Sequence, residues 1–207
     1  MELPANARRA RDLAIADQCR LNVLWLNGCS RGGRALEIDV AGLNLQAALQ
    51  SLYGRVERCG SLDVDASGQR LSRDLAGFDL VTIYGRAPTR AELTDTRRIL
   101  RPGGAALFAA QNRWWYGRRR GALRAGSTMS LRCAEHIRNA GFGDVRAYWV
   151  EPSLAIPRNL IPATTGRVRD FESWRAQDSG RSLIRSSVLS VGLRWMLYPA
   201  VLFVATV

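Results

Sequence analysis

Histidine is nearly absent from the 207 residues. His136 is the only one, and it falls on an expected surface helix, where solvation or packing accounts for it better than catalysis. The four cysteines, Cys19, Cys29, Cys59 and Cys133, stand far apart with no CxxC pair, which argues against a zinc or other metal site and against a disulfide framework. A reducing, cytoplasmic setting is the expectation. Long apolar runs are missing too: Trp195 to Val207 is thirteen residues and contains Pro199, whereas a membrane-spanning helix needs about 20. A buried terminal strand is expected there instead. Residues 1–20 mix Arg8, Arg9, Arg11, Asp12 and Asp17 into an alanine-rich stretch without the apolar centre of a signal peptide, so the mature chain is expected to start near Met1.

Acidic residues are also few, 18 Asp and Glu against 30 Lys and Arg, leaving a net charge of +12. Such a field attracts nucleic acid, anionic lipid headgroups or an acidic protein partner. No RNP sequence, zinc-finger spacing or helix-turn-helix accompanies it, so the charge by itself implies non-specific contact at most.

What is present is a core and an alternation. The chain is 47% hydrophobic and has the length of one domain. Apolar positions in 7–26 read as helical and lead into a loop with Gly28, Gly32 and Gly33. Arg34 to Val40 alternates like a strand, Leu43 to Tyr53 places Leu45, Leu49 and Leu52 on one helical face, and Arg55 to Cys59 is a second strand. The run Phe78 to Tyr84, bounded by Gly77 and Gly85, reads as a buried parallel strand. Thr89 or Thr94 caps the next helix, and Arg101-Pro-Gly-Gly104 turns into a strand from Ala105 to Ala110. Ser130 is the expected N-cap of a helix over 131–139, followed by a strand from Val145 to Val150. Residues 151–194 are irregular and rich in Pro, Ser and Arg, and Val201 to Val207 closes the fold. The pattern implies an α/β class with a mostly parallel, doubly wound sheet.

Two segments carry a resemblance. Gly32-Gly-Arg-Ala-Leu-Glu-Ile38, with the helix ending at Tyr53-Gly54-Arg55-Val56, is similar to the first strand, cofactor loop, first helix and second strand of class I S-adenosylmethionine (SAM) methyltransferases. Phe78-Asp-Leu-Val81, then Arg97-Arg-Ile-Leu-Arg-Pro-Gly-Gly104, Ala105 to Ala110 and Asn112 resemble that family's fourth strand, following helix, turn and fifth strand. Ala140-Gly-Phe142 and the strand after Pro199 match its last helix and closing antiparallel pair. The resemblance implies a Rossmann-like methyltransferase domain over 34–207, preceded by a helical segment over 1–33 and carrying a cap or insertion at about 151–194. Only fourteen residues separate Asp63 from Phe78, too few for the family's usual third strand and its helix. The sheet is therefore expected to be trimmed there.

The resemblance also implies SAM as cofactor, held at the carboxyl ends of the strands. Glu37 matches the acidic residue near the methionine ammonium, and Asp63 or Asp65 is the nearest candidate for the ribose hydroxyls. The family's Gly-x-Gly-x-Gly loop aligns with Asp39, Ala41 and Leu43, with only Gly42 nearby, so the cofactor loop is degenerate. Tyr84 and Asn112, at the ends of the fourth and fifth family strands, are the candidate catalytic residues facing an acceptor.

After the fifth strand comes a dense basic and aromatic segment, Arg113, Trp114, Trp115, Tyr116, Arg118, Arg119 and Arg120. Arginine forks suit phosphates and carboxylates, while tryptophan and tyrosine stack on bases or lie at lipid interfaces. It reads equally as a substrate or partner surface and as a solvated lid. Three functions are carried forward: a methyltransferase acting on a small-molecule, natural-product or sugar-type acceptor or on an anionic macromolecule; an inactive methyltransferase-fold scaffold that binds an anionic or protein partner, as a homodimer or heterodimer; and, more weakly, a module that contacts nucleic acid or an anionic membrane through residues 113–120.

Overall fold

In a computed structural model of the chain, the residues described are 18–24, 26, 33–38, 45–59, 77–112, 128–164, 166–168, 170–171 and 197–207. Residues 18–24 are helical (α1), and the following elements are β1 (Arg34–Ile38), α2 (Gln46–Leu52), β2 (Arg55–Cys59), β3 (Phe78–Tyr84), α3 (Arg90–Ile99), β4 (Leu100–Asn112), β5 (Thr128–Met129), α4 (Cys133–Asn139), β6 (Val145–Pro152), β7 (Pro157–Pro162) and β8 (Ala200–Thr206). Among the described residues the strands form one mixed sheet ordered β2-β1-β3-β4-β8-β6-β7, with β5 paired to β4 off that path. β1 to β4 run parallel, β8 enters antiparallel to both β4 and β6, and β7 folds back antiparallel on β6. The α/β class and the mostly parallel doubly wound core expected from the sequence are what the structure has.

Both faces of the sheet are covered, so its central strands carry apolar residues almost without interruption. Ala35, Leu80, Tyr84, Leu107 and Leu202 pack with Val23 and Leu24 of α1, with Leu49 and Leu52 of α2 and with Leu45 just before it. Leu36, Ile38, Ile83, Phe108 and Phe203 face the other way, with Leu93 of α3 and Ile137 of α4. On that second face Phe108 meets Phe142 edge-on, ring centres 5.9 Å apart, and Trp149 stacks on Tyr198 at 5.5 Å.

Several local expectations shift. Thr89, not Thr94, caps α3: its side chain accepts from the Glu92 N–H while Glu92 accepts from the Thr89 N–H, a reciprocal capping box. Ser130 does not cap α4. Residues 131–132 form a turn in which the Ser130 carbonyl accepts from Cys133, and the helix starts at Cys133 behind Arg132 without a side-chain cap. The Pro-Gly-Gly stretch lies inside β4, where pairing with β3 shifts between Phe78 and Leu80. Gly103 takes φ +76°, and a Cβ on Gly104 would come within 2.9 Å of the Arg101 and Phe78 carbonyls. Irregular as 151–194 reads, it contains β7. A strand with proline at both ends escapes a pattern search but suits the sheet margin, where fewer backbone N–H groups are needed.

Candidate functional site

Parallel strands leave two unlike edges. At the carboxyl edge, which ligands of α/β sheets use, β1, β2, β3 and β4 end at Ile38, Cys59, Tyr84 and Asn112. Gly85 turns the chain off β3, donating to the Ala109 carbonyl. β5 then takes the next rungs of β4, Thr128 beside Gln111 and Met129 beside Asn112. Because β8 holds the opposite side of β4 up to Gln111, β5 stands in line with β3 and covers its end.

Glu37 is buried (1% exposed) on the α2 side of β1. One carboxylate oxygen accepts the N–H of Leu45, the N-cap residue of α2, and the other lies 3.9 Å from the Arg58 guanidinium of β2. The carboxylate thereby joins the end of β1 to the start of α2, complementing N–H groups that a helix leaves without internal partners.

Tyr84 is equally enclosed. Its side chain sits in the α1–α2 core, and its hydroxyl donates to the Leu154 carbonyl at 2.7 Å, in the connection between β6 and β7. Burial pushes the phenol well above the usual tyrosine range, against a smaller pull downward from Arg20. Asn112 is 1% exposed, and its amide donates to the Tyr198 carbonyl at 2.8 Å while its backbone N–H donates to Pro199. It fastens the approach to β8.

The expected positions Asp39, Ala41, Gly42, Leu43, Asp63 and Asp65 lie outside the described residues, as do Arg113, Trp114, Trp115, Tyr116, Arg118, Arg119 and Arg120. Asn112, which precedes that last segment, and the β5 pair, which follows residue 127, are neighbours in the sheet at the carboxyl edge. His136 is exposed on α4 and lines a cleft between α3 and α4 rather than the strand ends. Among the described residues no group of three or more His, Cys, Asp or Glu side chains could hold a metal ion, and no helix is long and apolar enough to cross a membrane.

One pair at this edge escaped the sequence reading. Arg86, in the connection after β3, holds both carboxylate oxygens of Glu92, one at 2.6 Å. Burial alone would raise the Glu92 carboxyl, but hydrogen bonds from Arg86 and Thr89 and the Arg86 charge outweigh it and hold it below the usual carboxylate range. Thr89-Arg-Ala-Glu92 is the spacing of a capping box and was the available signal.

No family model matches this sequence, and no curated protein matches it. Similarity appears in solved structures. The phosphoethanolamine N-methyltransferase 2 of Haemonchus contortus, in complex with phosphomonomethylethanolamine and S-adenosylhomocysteine, superposes with a TM-score of 0.54 at 16% identity over 90% of this chain and 52% of that one. A SAM-dependent methyltransferase from Archaeoglobus fulgidus gives 0.54 at 14% identity over 95% and 94% of the two chains. A SAM-dependent methyltransferase of Thermotoga maritima, described as a possible histamine N-methyltransferase, gives 0.52 at 12% identity over 98% and 95%. The chain spans about half the length of the Haemonchus enzyme. At these identities the likeness establishes the fold, which is the Rossmann-like fold of class I SAM-dependent methyltransferases.

Proposed function

We propose that this chain is a SAM-dependent methyltransferase that passes a methyl group from SAM to a small-molecule acceptor of natural-product or sugar type at the carboxyl edge of the sheet. The observation that carries the reading is Glu37, whose carboxylate binds the start of α2 from the end of β1. It keeps in place the strand–loop–helix frame on which this fold seats its cofactor. What supports the fit of that group is the acid Glu37 one residue before the end of β1; the neighbouring β2 ends at Cys59, so the ribose acid falls to Asp63 beyond it. The Haemonchus enzyme, of the same fold, is seen with S-adenosylhomocysteine. When bound, SAM supplies an electrophilic methyl on its sulfonium, so the protein's work is largely positioning. In this reading Glu37 with Asp39, Ala41 and Gly42 forms the methionine side of the site, Asp63 holds the ribose, Tyr84 and Asn112 fix the connections around the acceptor, and the segment from Arg113 to Arg120 supplies the substrate or partner surface. Calorimetric titration with SAM and S-adenosylhomocysteine tests it. Micromolar binding is expected, weakened by Glu37→Ala and by Asp63→Ala and untouched by His136→Ala, with a matching rise in melting temperature. Glu37→Gln separates charge from capping, since the amide oxygen can still accept from Leu45.

A specific observation favours the second reading, a methyltransferase-fold scaffold without SAM. The polar groups of Tyr84 and Asn112 are both committed to backbone carbonyls inside the protein. No binding at millimolar SAM would decide for the scaffold and direct attention to protein or anionic partners of the cationic surface.

A further inference from the structure

We propose that the cleft between α3 and α4 binds a small organic anion, an acidic head group carried on an apolar body, independently of the carboxyl edge of the sheet. The cleft measures about 490 Å³, within the roughly 300–1,000 Å³ typical of ligand pockets. Helical spacing makes it. Arg90, Leu93 and Thr94 share one face of α3, while Cys133, His136, Ile137 and Ala140 share one face of α4, and these faces line the cleft. Leu93 and Ile137 are buried and, with Pro88, give an apolar floor; Arg90, His136 and Asn139 stand exposed at the mouth.

Charge selects the ligand. Among the described residues the lining holds no carboxylate. Glu92 is held by Arg86, and Asp95 pairs with Arg98 at 3.4 Å, both off the cleft-facing stripe of α3. Glu135 of α4 is not part of the lining. The Thr94 hydroxyl donates to the Arg90 carbonyl at 3.2 Å, so the donors offered to a ligand are the Arg90 guanidinium, an imidazole N–H of His136 and the Asn139 amide. An anion meets these donors and, among the described lining residues, no like charge, while its body covers the floor; a bare inorganic ion would leave that floor wet. The two walls are linked at one end, where Arg97 donates to the Gly141 carbonyl at 3.1 Å and joins α3 to the residue that follows the α4 C-cap.

Octanoate and octyl phosphate, titrated by calorimetry into the full chain, test the site, with octanamide and inorganic phosphate as controls. At least one octyl anion is expected to bind roughly tenfold or more tighter than either control, and the tighter of the two identifies the head group. Arg90→Gln is expected to weaken that anion by about tenfold, and His136→Ala by a smaller factor. Both side chains are exposed, so the melting temperature should stay as it is. Equal affinity for octanamide, an octyl anion bound as tightly by Arg90→Gln as by the parent chain, or no binding at all would each overturn the proposal.

Discussion

The two edges of the parallel sheet use polar side chains in opposite ways. At the amino edge they pair strand with strand. Asp79 of β3 accepts from the Arg34 N–H of β1 at 2.7 Å and pairs with Arg101 of β4, Arg34 reaches Glu57 of β2 at 2.9 Å, and the Arg34 guanidinium lies 4.5 Å over the Phe78 ring. Gly33 passes so close to the Asp79 carboxylate that a Cβ would collide with it. At the carboxyl edge the polar groups mostly leave the strands: Glu37, besides facing Arg58 of β2, holds the start of α2, Tyr84 the β6–β7 connection and Asn112 the residues before β8. The amino edge chiefly fixes register and the carboxyl edge chiefly fixes loops.

The largest effect belongs to the amino edge. A Cβ at Gly104 would stand 2.9 Å from two backbone oxygens, neither the end of a flexible side chain. Gly104→Ala is expected to cost about 3 kcal/mol, read as a lower urea midpoint for the whole chain. A loss confined to the β6–β7 region would break the distinction between the edges.

Next is the pair after β3. Glu92 has a folded pKa below its unfolded one, so its stabilisation is present above the ordinary carboxylate range and is lost as pH falls through the lowered folded value. Glu92→Gln leaves Arg86 without its ionic partner and is expected to cost about 2 kcal/mol near neutrality, less than for a fully buried pair because Arg86 is partly exposed. The gap between parent and variant should close on acidification. A gap that stays constant with pH would mean the carboxylate charge contributes nothing.

The sheet was legible because its signals are local. The FDLV and Pro-Gly-Gly segments, the glycines flanking β3 and the apolar face of α2 each name an element within about ten residues. β7 was not legible, since its strand character comes from pairing with β6 and its prolines argue locally against it. Among the candidate residues, Glu37, Tyr84 and Asn112 were singled out by position, at or next to the ends of strands. Their partners Leu45, Leu154 and Tyr198 lie 8, 70 and 86 residues away. Only the nearest could have been guessed, and what such side chains do is decided by the distant carbonyl or N–H they meet.

Tyr84→Phe makes the smallest change and the sharpest. It removes one hydroxyl and leaves the ring in place, at an expected cost of about 1 kcal/mol. The Leu154 carbonyl loses its donor, so amide exchange should quicken over 153–156, where the Ile156 N–H donates to the Ser153 hydroxyl oxygen at 3.3 Å. Exchange at the Asp79 and Arg101 end of the same sheet should not change. If Tyr84 acts only by holding the connection, SAM affinity is unaltered and any methyl transfer changes through acceptor KM. A fall in kcat with KM and local exchange unchanged would place the hydroxyl on the acceptor itself, and the carboxyl edge would then be a reacting surface as well as a set of loop anchors.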